Sequence, residues 1–492
     1  MTSRLSIPRD GRNPDELLET MRTFREGDAN WRGGRTFSLV YNAGDVHHEF
    51  IRRAHDLFLM ENALNPMAFK SLKRMEAEVV QMAASMFHGP PSAVGTMTSG
   101  GTESILMAVK AYRDRARSLR PWVLQPEMVA PESIHVAFDK AAHYFDVKLK
   151  HVPMRDDLTA DVDAMRAAIN RNTILLAASA PQYPHGVLDP IEAIGALAER
   201  EKIPFHVDAS IGGFMLPWVE RLGYPMKPFD FRVSGVTSIS ADIHKYGLGA
   251  KGASVIVYRD MDHLKHQFFI ATEWPGGIYA SPSALGTRAG GPIAAAWAAL
   301  NVLGEEGYLS HARRAMEAST RLQSGIASIP GLAVMGSPVA TLVAWRSTDK
   351  ALDLYAVADQ MELRGWHIDR QQKPPSVHST IMSNHLDFID EYLRDVREAV
   401  DFVRAHPELK SSGNAAMYGM MAKVPFRGMI RRSIGKVMET MYGPAGTNTD
   451  PMKADESDGP VMKFINKYGG TVVGALDKLG ELRETLPWRK PR

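Results

Sequence analysis

Cysteine is absent from all 492 residues of the chain. Its absence excludes disulfide bridges, thiolate metal ligands and a cysteine nucleophile, and it leaves the redox compartment undetermined. An excess of charge of one sign is lacking as well, because 58 lysine and arginine residues stand against 56 aspartate and glutamate residues, for a net charge of +2. Since there is also no basic stripe with interleaved aromatic residues, the charge pattern predicts no nucleic-acid partner.

Long apolar runs are missing too. The N-terminus has no apolar core of the kind found in signal peptides, and no charge-free stretch is long enough to span a bilayer. Metal-ligand spacing is absent: the acidic residues of 450–458 lack the EF-hand pattern, and the adjacent side chains at 47–49 diverge on a helix or a strand. We therefore expect a large soluble protein without a metal site, in which 45% hydrophobic residues can bury more than one core.

Lys245 is the residue that the sequence marks most clearly as reactive. It lies in Ser-Ala-Asp-Ile-His-Lys-Tyr-Gly at 240–247, and the apolar and small residues at 233–243 predict a buried strand entering a loop. Burial disfavours the charged form of an amine, so this environment is expected to lower its pKa and make it nucleophilic. The alternative is a lysine that only closes a loop.

Asp208 supplies the carboxylate that a pyridoxal phosphate (PLP) cofactor needs. It closes a short β-rich run at 203–207. PLP is an electron sink only while its pyridine nitrogen stays protonated, so a buried aspartate must face that nitrogen while a lysine holds the aldehyde carbon. Asp208 and Lys245 would fill these two positions. An aspartate after a strand is otherwise typical of a helix cap.

A glycine pair supplies an anion site. Thr-Ser-Gly-Gly-Thr-Glu at 98–103 precedes a helical pattern at 104–114. Backbone N–H groups at Gly101 and the helix dipole would bind the cofactor phosphate, helped by the hydroxyls of Ser99 and Thr102. The alternative is a simple turn and cap.

His135 completes a set of four motifs. It lies in a run at 134–138 that predicts a strand, and its imidazole would stack on the pyridine ring. A histidine among apolar residues is otherwise typical of a protein core. The phosphate loop, this histidine, Asp208 and Lys245 follow one another in that order between strand and helix patterns, and the set favours a PLP site over the separate alternatives.

These motifs resemble those of the sphingosine-1-phosphate lyases, a family of group II PLP-dependent decarboxylases of fold type I, in the aspartate aminotransferase superfamily. The resemblance runs from about Tyr41 to Tyr442 and is carried by four blocks, at 98–114, 206–214, 238–247 and 274–282. It implies an α/β fold in which a large domain has a mostly parallel sheet of the seven-stranded type. A smaller α+β C-terminal domain and PLP as the cofactor are implied as well.

The resemblance also assigns the cofactor site residue by residue. By this resemblance the residues that would hold PLP are Lys245 as the Schiff-base lysine, Asp208 at the pyridine nitrogen, His135 on the ring, and Gly101, Thr102 and His244 around the phosphate. Ser99 joins them through the glycine-pair pattern alone. Gly286 and Thr287 match the segment by which a partner subunit completes the phosphate site. That match implies a homodimer with shared active sites.

Five positions bear on the substrate. Lys251 matches a second family lysine near the substrate, while Tyr41 is linked with the substrate phosphate and Tyr279 with the partner's side of the pocket. Without the resemblance, Lys251 would be an ordinary charged residue at the end of a strand, and the two tyrosines would be aromatic residues that pack in the protein. Asn62 and Asn65 lie in one short segment, and the lyases usually carry a histidine at the position of Asn65. Asparagine offers a hydrogen bond but no charge, which weakens the expectation of a phosphorylated substrate.

The motifs and patterns predict four segments, which are an N-terminal arm at 1–60, a large PLP-binding domain at 61–305, a small α+β domain at 306–442 and a C-terminal extension at 443–492. In the large domain we expect strands at 134–138, 147–152, 173–179, 204–208 and 253–258, with helices at 158–169 and 190–202. In the small domain we expect helices at 308–326 and 352–364, with strands at 332–334 and 341–345.

Further on, apolar residues recur at helical spacing at Ile430, Ile434, Val437, Met438 and Met441. This basic amphipathic helix would pack on the domain or make peripheral contact with a membrane.

The expected activity is a PLP-dependent carbon–carbon lyase. A base would take the proton of the substrate's 3-hydroxyl, and retro-aldol cleavage would give a fatty aldehyde and phosphoethanolamine. Lys251, Tyr279 or a phosphate oxygen would be that base, and the sequence does not choose. The alternatives are a group II amino-acid decarboxylase and a scaffold that has lost catalysis, the latter opposed by the intact Lys245.

The membrane anchor of eukaryotic lyases is absent, which favours a soluble, bacterial, cytoplasmic form.

Overall fold

The computed structural model describes residues 6–411, 415 and 427–443. Nearly all of the predicted extension at 443–492 lies outside these described residues. The described part contains a large mixed sheet, a small antiparallel sheet, a hairpin and the helices that cover them.

A seven-stranded sheet forms the larger layer. In chain order its strands are β1 (Val94–Thr98), β2 (Glu127–Pro131), β3 (Lys148–Val152), β4 (Thr173–Ser179), β5 (Phe205–Asp208), β6 (Val236–Ala241) and β7 (Ser254–Tyr258). Their spatial order is β1-β7-β6-β5-β4-β2-β3. β7 is antiparallel to both of its neighbours, whereas the other neighbouring strands are parallel. The expectation of a mostly parallel sheet is therefore confirmed.

Helices cover this sheet and continue beyond it. Those of the described residues are α1 (Pro14–Phe24), α2 (Asp45–Asp56), α3 (Lys70–Met86), α4 (Gly101–Leu119), α5 (Ala137–Phe145), α6 (Val162–Ala168), α7 (Ile191–Glu201), α8 (Leu216–Arg221), α9 (Met261–Leu264), α10 (Gly290–Ala327), α11 (Leu354–Leu363), α12 (Ile389–Ala405) and α13 (Arg427–Met441). Short 3-10 turns lie at Lys265–Gln267, Ser383–Asp387 and Pro407–Ser411. α10 is kinked at Gly304, whose φ of 55° is not helical.

β4 shows why the sheet is covered on both faces. All of its residues are buried. Leu175 and Ala177 share a core with residues of α4 and α5, whereas Leu176 and Ala178 belong to the core formed with α3, α7 and α10. Because successive side chains of a strand point to opposite faces, an unbroken apolar run is typical of a parallel strand with helices on both sides.

The smaller unit is an antiparallel sheet with its own core. After the hairpin of β8 (Phe269–Ala271) and β9 (Tyr279–Ser281), its strands are β10 (Leu332–Val334), β11 (Leu342–Ser347), β12 (Asp369–Gln372) and β13 (Pro375–Thr380), in the order β10-β11-β13-β12. Residues of α11 and α12 pack against it, and Trp345, Trp366 and Tyr392 are fully buried there. The expected α+β unit is present, and the predicted boundaries between the four segments stay predictions.

One predicted strand is wrong. At 134–138 the chain turns, because β2 has already ended at Pro131 and α5 begins at Ala137. Ile134 and Phe138 are buried against α4 and α5, so the apolar pattern reflects helix packing and not a strand. The N-terminal segment predicted as an irregular arm contains two helices, α1 and α2.

No helix within the described ranges is both long and apolar enough to cross a bilayer. α13 exposes Ile434, Val437, Met438 and Met441.

No group of three histidine, aspartate or glutamate side chains in the described part of the chain is arranged to hold a metal ion.

Candidate active site

Four of the residues predicted to hold a cofactor, Lys245, Asp208, Gly101 and His244, lie where β5 and β6 end and α4 begins. Lys245 lies in the turn after β6, and its Nζ is 2.9 Å from Oδ2 of Asp242. The Asp242 side chain is only 2% exposed, and its Oδ1 accepts a hydrogen bond from the Ser254 hydroxyl at 2.6 Å. The buried carboxylate therefore fixes the position of the lysine ammonium at the carboxyl edge of the sheet, where α/β proteins bind ligands. No pattern in the sequence had assigned a role to Asp242.

Asp208 ends β5 beside this pair. Its Oδ1 accepts hydrogen bonds from the backbone N and the hydroxyl of Ser210, at 3.0 and 2.6 Å, and a longer one of 3.5 Å from the Ser240 hydroxyl. Among the described residues, no hydrogen bond reaches Oδ2. One oxygen of a buried carboxylate is thus open to a donor on a ligand, as a protonated pyridine nitrogen requires.

The start of α4 forms a cradle against these side chains. A Cβ built on Gly101 would lie 2.7 Å from each carboxylate oxygen of Asp242, and a Cβ on Gly100 would lie 3.3 Å from the His244 ring. Side chains are therefore excluded where the helix begins. The first N–H groups of a helix have no partner within it, so they remain for an anion at this place. Thr102 follows in the first turn and is exposed.

Glu103 joins the cradle to a more distant segment. Its Oε2 accepts hydrogen bonds from the backbone N and the hydroxyl of Ser99 at 2.6 and 2.7 Å, while its Oε1 accepts one from the backbone N of Ala284 at 2.9 Å. Both polar groups of Ser99 are thus bound to a carboxylate in this structure. Glu103 holds the phosphate loop against the chain that leads to Gly286 and Thr287.

His244 is a neutral donor beside the cradle. Burial lowers its pKa to about 4, against a smaller raising effect of Asp242. Its Nδ1 accepts a hydrogen bond from the backbone N of Ala253 at 3.3 Å, so the ring carries its single proton on Nε2. That atom lies 3.7 Å from Oδ2 of Asp242.

His135 and Tyr183 bring two rings to the same edge. His135 is exposed in the turn between β2 and α5, and its ring centroid is 6.5 Å from that of Tyr183. Tyr183 packs on His378 of β13 at 4.4 Å. Burial and, to a smaller extent, Asp369 raise the pKa of Tyr183 to about 12, against a lowering effect of Lys245. Tyr183 was missed from the sequence, although its place just after β4 is a signal for a ligand-binding residue.

Lys251 is held next to a cavity. Its Nζ donates a hydrogen bond to the backbone oxygen of Leu39 at 2.8 Å and lies 5.3 Å from the ring centre of Tyr41. Burial lowers the pKa of Lys251 and raises that of Tyr41 well above its usual value. A cavity of about 260 Å³ opens beside both side chains. An ammonium group fixed at a cavity suits an anionic ligand.

The remaining predicted residues form a second group: Tyr279, Gly286, Thr287, Asn62 and Asn65. A Cβ built on Gly286 would lie 2.7 Å from the Tyr279 hydroxyl, and the backbone of Asn62 forms a bridge with that of Ala289. Asn65 is exposed, and its side chain closes its own turn by accepting a backbone N–H at 2.9 Å. No hydrogen bond of the described residues joins this group to Lys245.

The residues around Lys245 fit PLP. An amine suits its aldehyde, the open oxygen of Asp208 suits its pyridine nitrogen, and the helix start with the His244 Nε2–H suits its phosphate. The cradle admits no side chain at Gly101, as close approach of a phosphate to the backbone requires.

Comparison with known proteins gives the same result. The chain matches the family described as "Pyridoxal-dependent decarboxylase conserved domain" over residues 60–348. It is 46% identical over 435 residues to the sphingosine-1-phosphate lyase of Arabidopsis thaliana, covering 87% of this chain and 79% of that protein. It is 42% identical over 450 residues to sphingosine-1-phosphate lyase 1 of Rattus norvegicus, covering 91% and 78%.

Solved structures show similar folds. The sphingosine-1-phosphate lyase of Burkholderia pseudomallei K96243 matches with a TM-score of 0.82 and 37% identity, over 89% of this chain and 97% of that one. The glutamate decarboxylase of Lactobacillus brevis matches with a TM-score of 0.72, over 82% and 96%, but at 21% identity it shares the fold alone.

The fold and the site define a PLP-dependent lyase of fold type I. Both the α/β fold class and the cofactor expected from the sequence are thereby confirmed. The chain belongs to the sphingosine-1-phosphate lyase family, within the pyridoxal-dependent decarboxylases.

Proposed function

We propose that the chain cleaves a phosphorylated sphingoid base into a fatty aldehyde and phosphoethanolamine. The observation that carries this function is the convergence of Lys245, Asp208 and Gly101 at one edge of the sheet. Relatives named sphingosine-1-phosphate lyase cover most of the chain and support the choice of substrate.

The site around Lys245 would hold the cofactor. Lys245 would bind the aldehyde carbon of PLP, Oδ2 of Asp208 would accept a hydrogen bond from the pyridine N–H, and the start of α4 with His244 would surround the phosphate. His135, exposed in its turn, would cover one face of the ring. When bound, PLP takes up the electrons of the bond that breaks at the substrate's Cα.

Lys251 and Tyr41 would bind the substrate phosphate. The hydrogen bond to the Leu39 carbonyl fixes the Lys251 ammonium beside the cavity of about 260 Å³. Hydrogen bonds between an ammonium and a phosphate are charge-assisted and strong. Because Asn65 adds no charge, phosphate binding depends more on Lys251 here than in lyases that carry a histidine at that position.

Cleavage requires a proton to leave the substrate's 3-hydroxyl as the Cα–Cβ bond breaks. The hydroxyl-bearing carbon becomes the aldehyde, and Cα takes up a proton to give phosphoethanolamine. Lys251 donates to the carbonyls of Leu39 and His244, at 2.8 and 3.5 Å, and a neutral amine keeps two N–H donors for these bonds while its lone pair can accept a proton. Lys251, Tyr279 or a phosphate oxygen of the substrate would therefore be the base.

A homodimer would bring the second group of residues to the partner's site. Exposed apolar side chains flank this group: Trp274 is 58% exposed, Ile278 81%, Met60 86% and Met67 74%. Large exposed apolar patches mark protein interfaces. Burying these residues against a second copy would carry Gly286, Thr287 and the loop of Asn65 toward the partner's phosphate site.

An amino-acid decarboxylase is the second candidate, favoured by the uncharged Asn65. It would use the same residues to hold PLP, but the carboxylate of an amino acid would be lost in place of the aldehyde fragment.

Contact of α13 with a membrane and a cytoplasmic location remain predictions from the sequence. Vesicle flotation of the full chain with and without residues 427–492 would test the first of these.

Lys251→Met tests the phosphate site. Methionine keeps the length of the side chain but removes the charge, so we expect KM for a phosphorylated sphingoid base to rise about tenfold or more, the effect of losing a hydrogen bond to a charged group. The visible absorption of bound cofactor should not change. Lys265→Met, at an exposed surface lysine, is the matched control. Equal KM values in the two variants would refute the assignment of Lys251 to the substrate phosphate.

A further inference from the structure

Behind Asp208 lies a chain of buried hydrogen bonds that the proposed function does not use. It begins on α4, where the Tyr112 hydroxyl is 2.7 Å from Oγ of Ser238. The Ser238 Oγ is 2.8 Å from Nδ1 of His206 on β5. The His206 Nε2 is 3.1 Å from Oγ of Ser240, which in turn is 3.5 Å from Oδ1 of Asp208. The chain thus connects a helix on one face of the sheet to the cofactor carboxylate.

Every member of this chain is shielded from water. Ser238, His206 and Ser240 have no exposed surface, while Tyr112 is 1% and Asp208 6% exposed. Burial lowers the pKa of His206 to about 4, with Asp208 opposing the shift. The imidazole is therefore neutral near pH 7 and carries one N–H.

The direction of donation follows from the carboxylate at one end. An ionised Asp208 can only accept, so the Ser240 hydroxyl donates to it. The Ser240 oxygen then accepts from the His206 Nε2–H. Because the neutral ring has a single proton, its Nδ1 accepts from the Ser238 hydroxyl, and Tyr112 donates to Ser238. All four donors consequently point toward Asp208.

We propose that His206 is a positioning residue for the cofactor, acting through Ser240 to hold the Asp208 carboxylate with Oδ2 turned toward the pyridine nitrogen. Donors aligned in one direction polarise one another and strengthen the last bond of the chain. Ser210 makes the shortest bond to the carboxylate, at 2.6 Å, so the chain adds to that support. The inference rests on the proposed role of Asp208 as partner of the pyridine nitrogen.

The test is the dissociation constant (Kd) of PLP for the full chain, measured by titration of the visible absorption of the bound cofactor. His206→Phe keeps a ring beside Phe138, whose centroid is 5.9 Å away, but removes both nitrogens. We expect Kd to rise about tenfold, within the coupling found among residues of one hydrogen-bond network. His206→Gln offers one acceptor and one donor, and we expect it to restore most of the affinity.

Asp208→Asn separates positioning from a general effect on the fold. In that background His206→Phe should cause no further loss of affinity, because its effect passes through the carboxylate. Tyr112→Phe and Tyr258→Phe form a matched pair, since each removes a buried hydroxyl with a partner outside the chain of hydrogen bonds, Thr237 at 2.7 Å and Gln267 at 2.8 Å, but only that of Tyr112 also bonds Ser238. We expect Kd to rise about twofold in Tyr112→Phe and to stay unchanged in Tyr258→Phe.

Two results would overturn the inference and leave the proposed function standing. One is an unchanged Kd for PLP in His206→Phe. The other is that His206→Phe raises Kd by the same factor with and without Asp208→Asn. An unchanged Kd in Asp208→Asn alone would instead remove the role of Asp208 in the proposed function, and the inference with it. Far-ultraviolet circular dichroism establishes that each variant is folded. Where His206→Phe is not, the tyrosine pair decides, and equal Kd values in the two tyrosine variants would count against the inference.

Discussion

The buried ion pair between Glu76 and Arg288 is the contact whose loss we expect to cost the most stability. The two terminal nitrogens of Arg288 lie 2.6 and 3.1 Å from the two carboxylate oxygens of Glu76, and the residues are 8% and 3% exposed. The carboxylate also accepts the backbone N–H of Met97 at 3.1 Å. The pair thus joins α3, β1 and the segment that carries Gly286 and Thr287.

Arg288→Met removes the cation and leaves a buried carboxylate without its partner. Breaking a buried pair in this way costs about 3–5 kcal/mol of the free energy of unfolding. Burial raises the pKa of Glu76, but the hydrogen bond and charge of Arg288 outweigh it, so the net pKa is lowered. The pair therefore stabilises the fold fully above the usual glutamate pKa and loses this contribution as the pH falls through the folded value.

The pH dependence of the variant follows with a definite sign. Without Arg288, burial remains the largest effect on the pKa of Glu76 and raises it, against the lowering effects of Lys73 and the Met97 N–H, so the carboxyl becomes neutral more readily than in the wild type. The stability deficit of Arg288→Met should accordingly be largest near pH 7 and shrink toward about pH 4, where the wild-type pair also weakens.

Urea unfolding followed by tryptophan fluorescence, at pH 7 and at a mildly acidic pH, measures this deficit. Glu76→Gln combined with Arg288→Met should recover much of the loss, because no buried charge then remains. The control is Arg166→Met, which breaks an exposed pair with Asp163 and should cost less than about 1 kcal/mol. A loss in Arg288→Met no larger than in this control, or a double variant as unstable as the single one, would refute the reasoning.

Three further substitutions test the site and its support. Gly101→Ala places a methyl group 2.7 Å from the Asp242 oxygens, and we expect PLP affinity to fall about tenfold or more in a cofactor titration while the urea midpoint changes little. Asn65→His adds a group that is charged below about pH 6.5, so KM for a phosphorylated substrate should fall more at pH 6 than at pH 8 in steady-state kinetics. The two carboxylate oxygens of Asp189 each accept a backbone N–H, at 3.1 and 2.9 Å. Asp189→Asn leaves one of these donors unpaired and should cost about 1–3 kcal/mol in urea unfolding.

Helices and strands whose successive residues share one kind of environment could be predicted from the sequence. The run at 173–179 is β4 to the residue, because a strand buried on both faces has apolar side chains at successive positions, here 174–178. Lys245 and Asp208 could be placed at one edge of the sheet for a related reason, since Asp208 ends β5, Lys245 lies in the turn after β6, and these parallel strands end at the same edge.

Contacts made only by the folded chain could not be predicted in this way. Asp242 touches Lys245 because the turn after β6 folds the two side chains together, and Tyr183 enters the site because β13 places His378 against it. The turn at His135 was mistaken for a strand because burial under neighbouring helices produces the same apolar pattern as burial in a sheet.

Mass spectrometry of the reaction products tests the central claim most directly. The PLP-loaded chain would be incubated with a phosphorylated sphingoid base and, separately, with a panel of amino acids, beside Lys245→Ala as the inactive control. A fatty aldehyde together with phosphoethanolamine, absent from the Lys245→Ala reaction, is the predicted result. Amines formed from the amino acids by loss of CO₂, with no aldehyde from the sphingoid base, would contradict the proposed function.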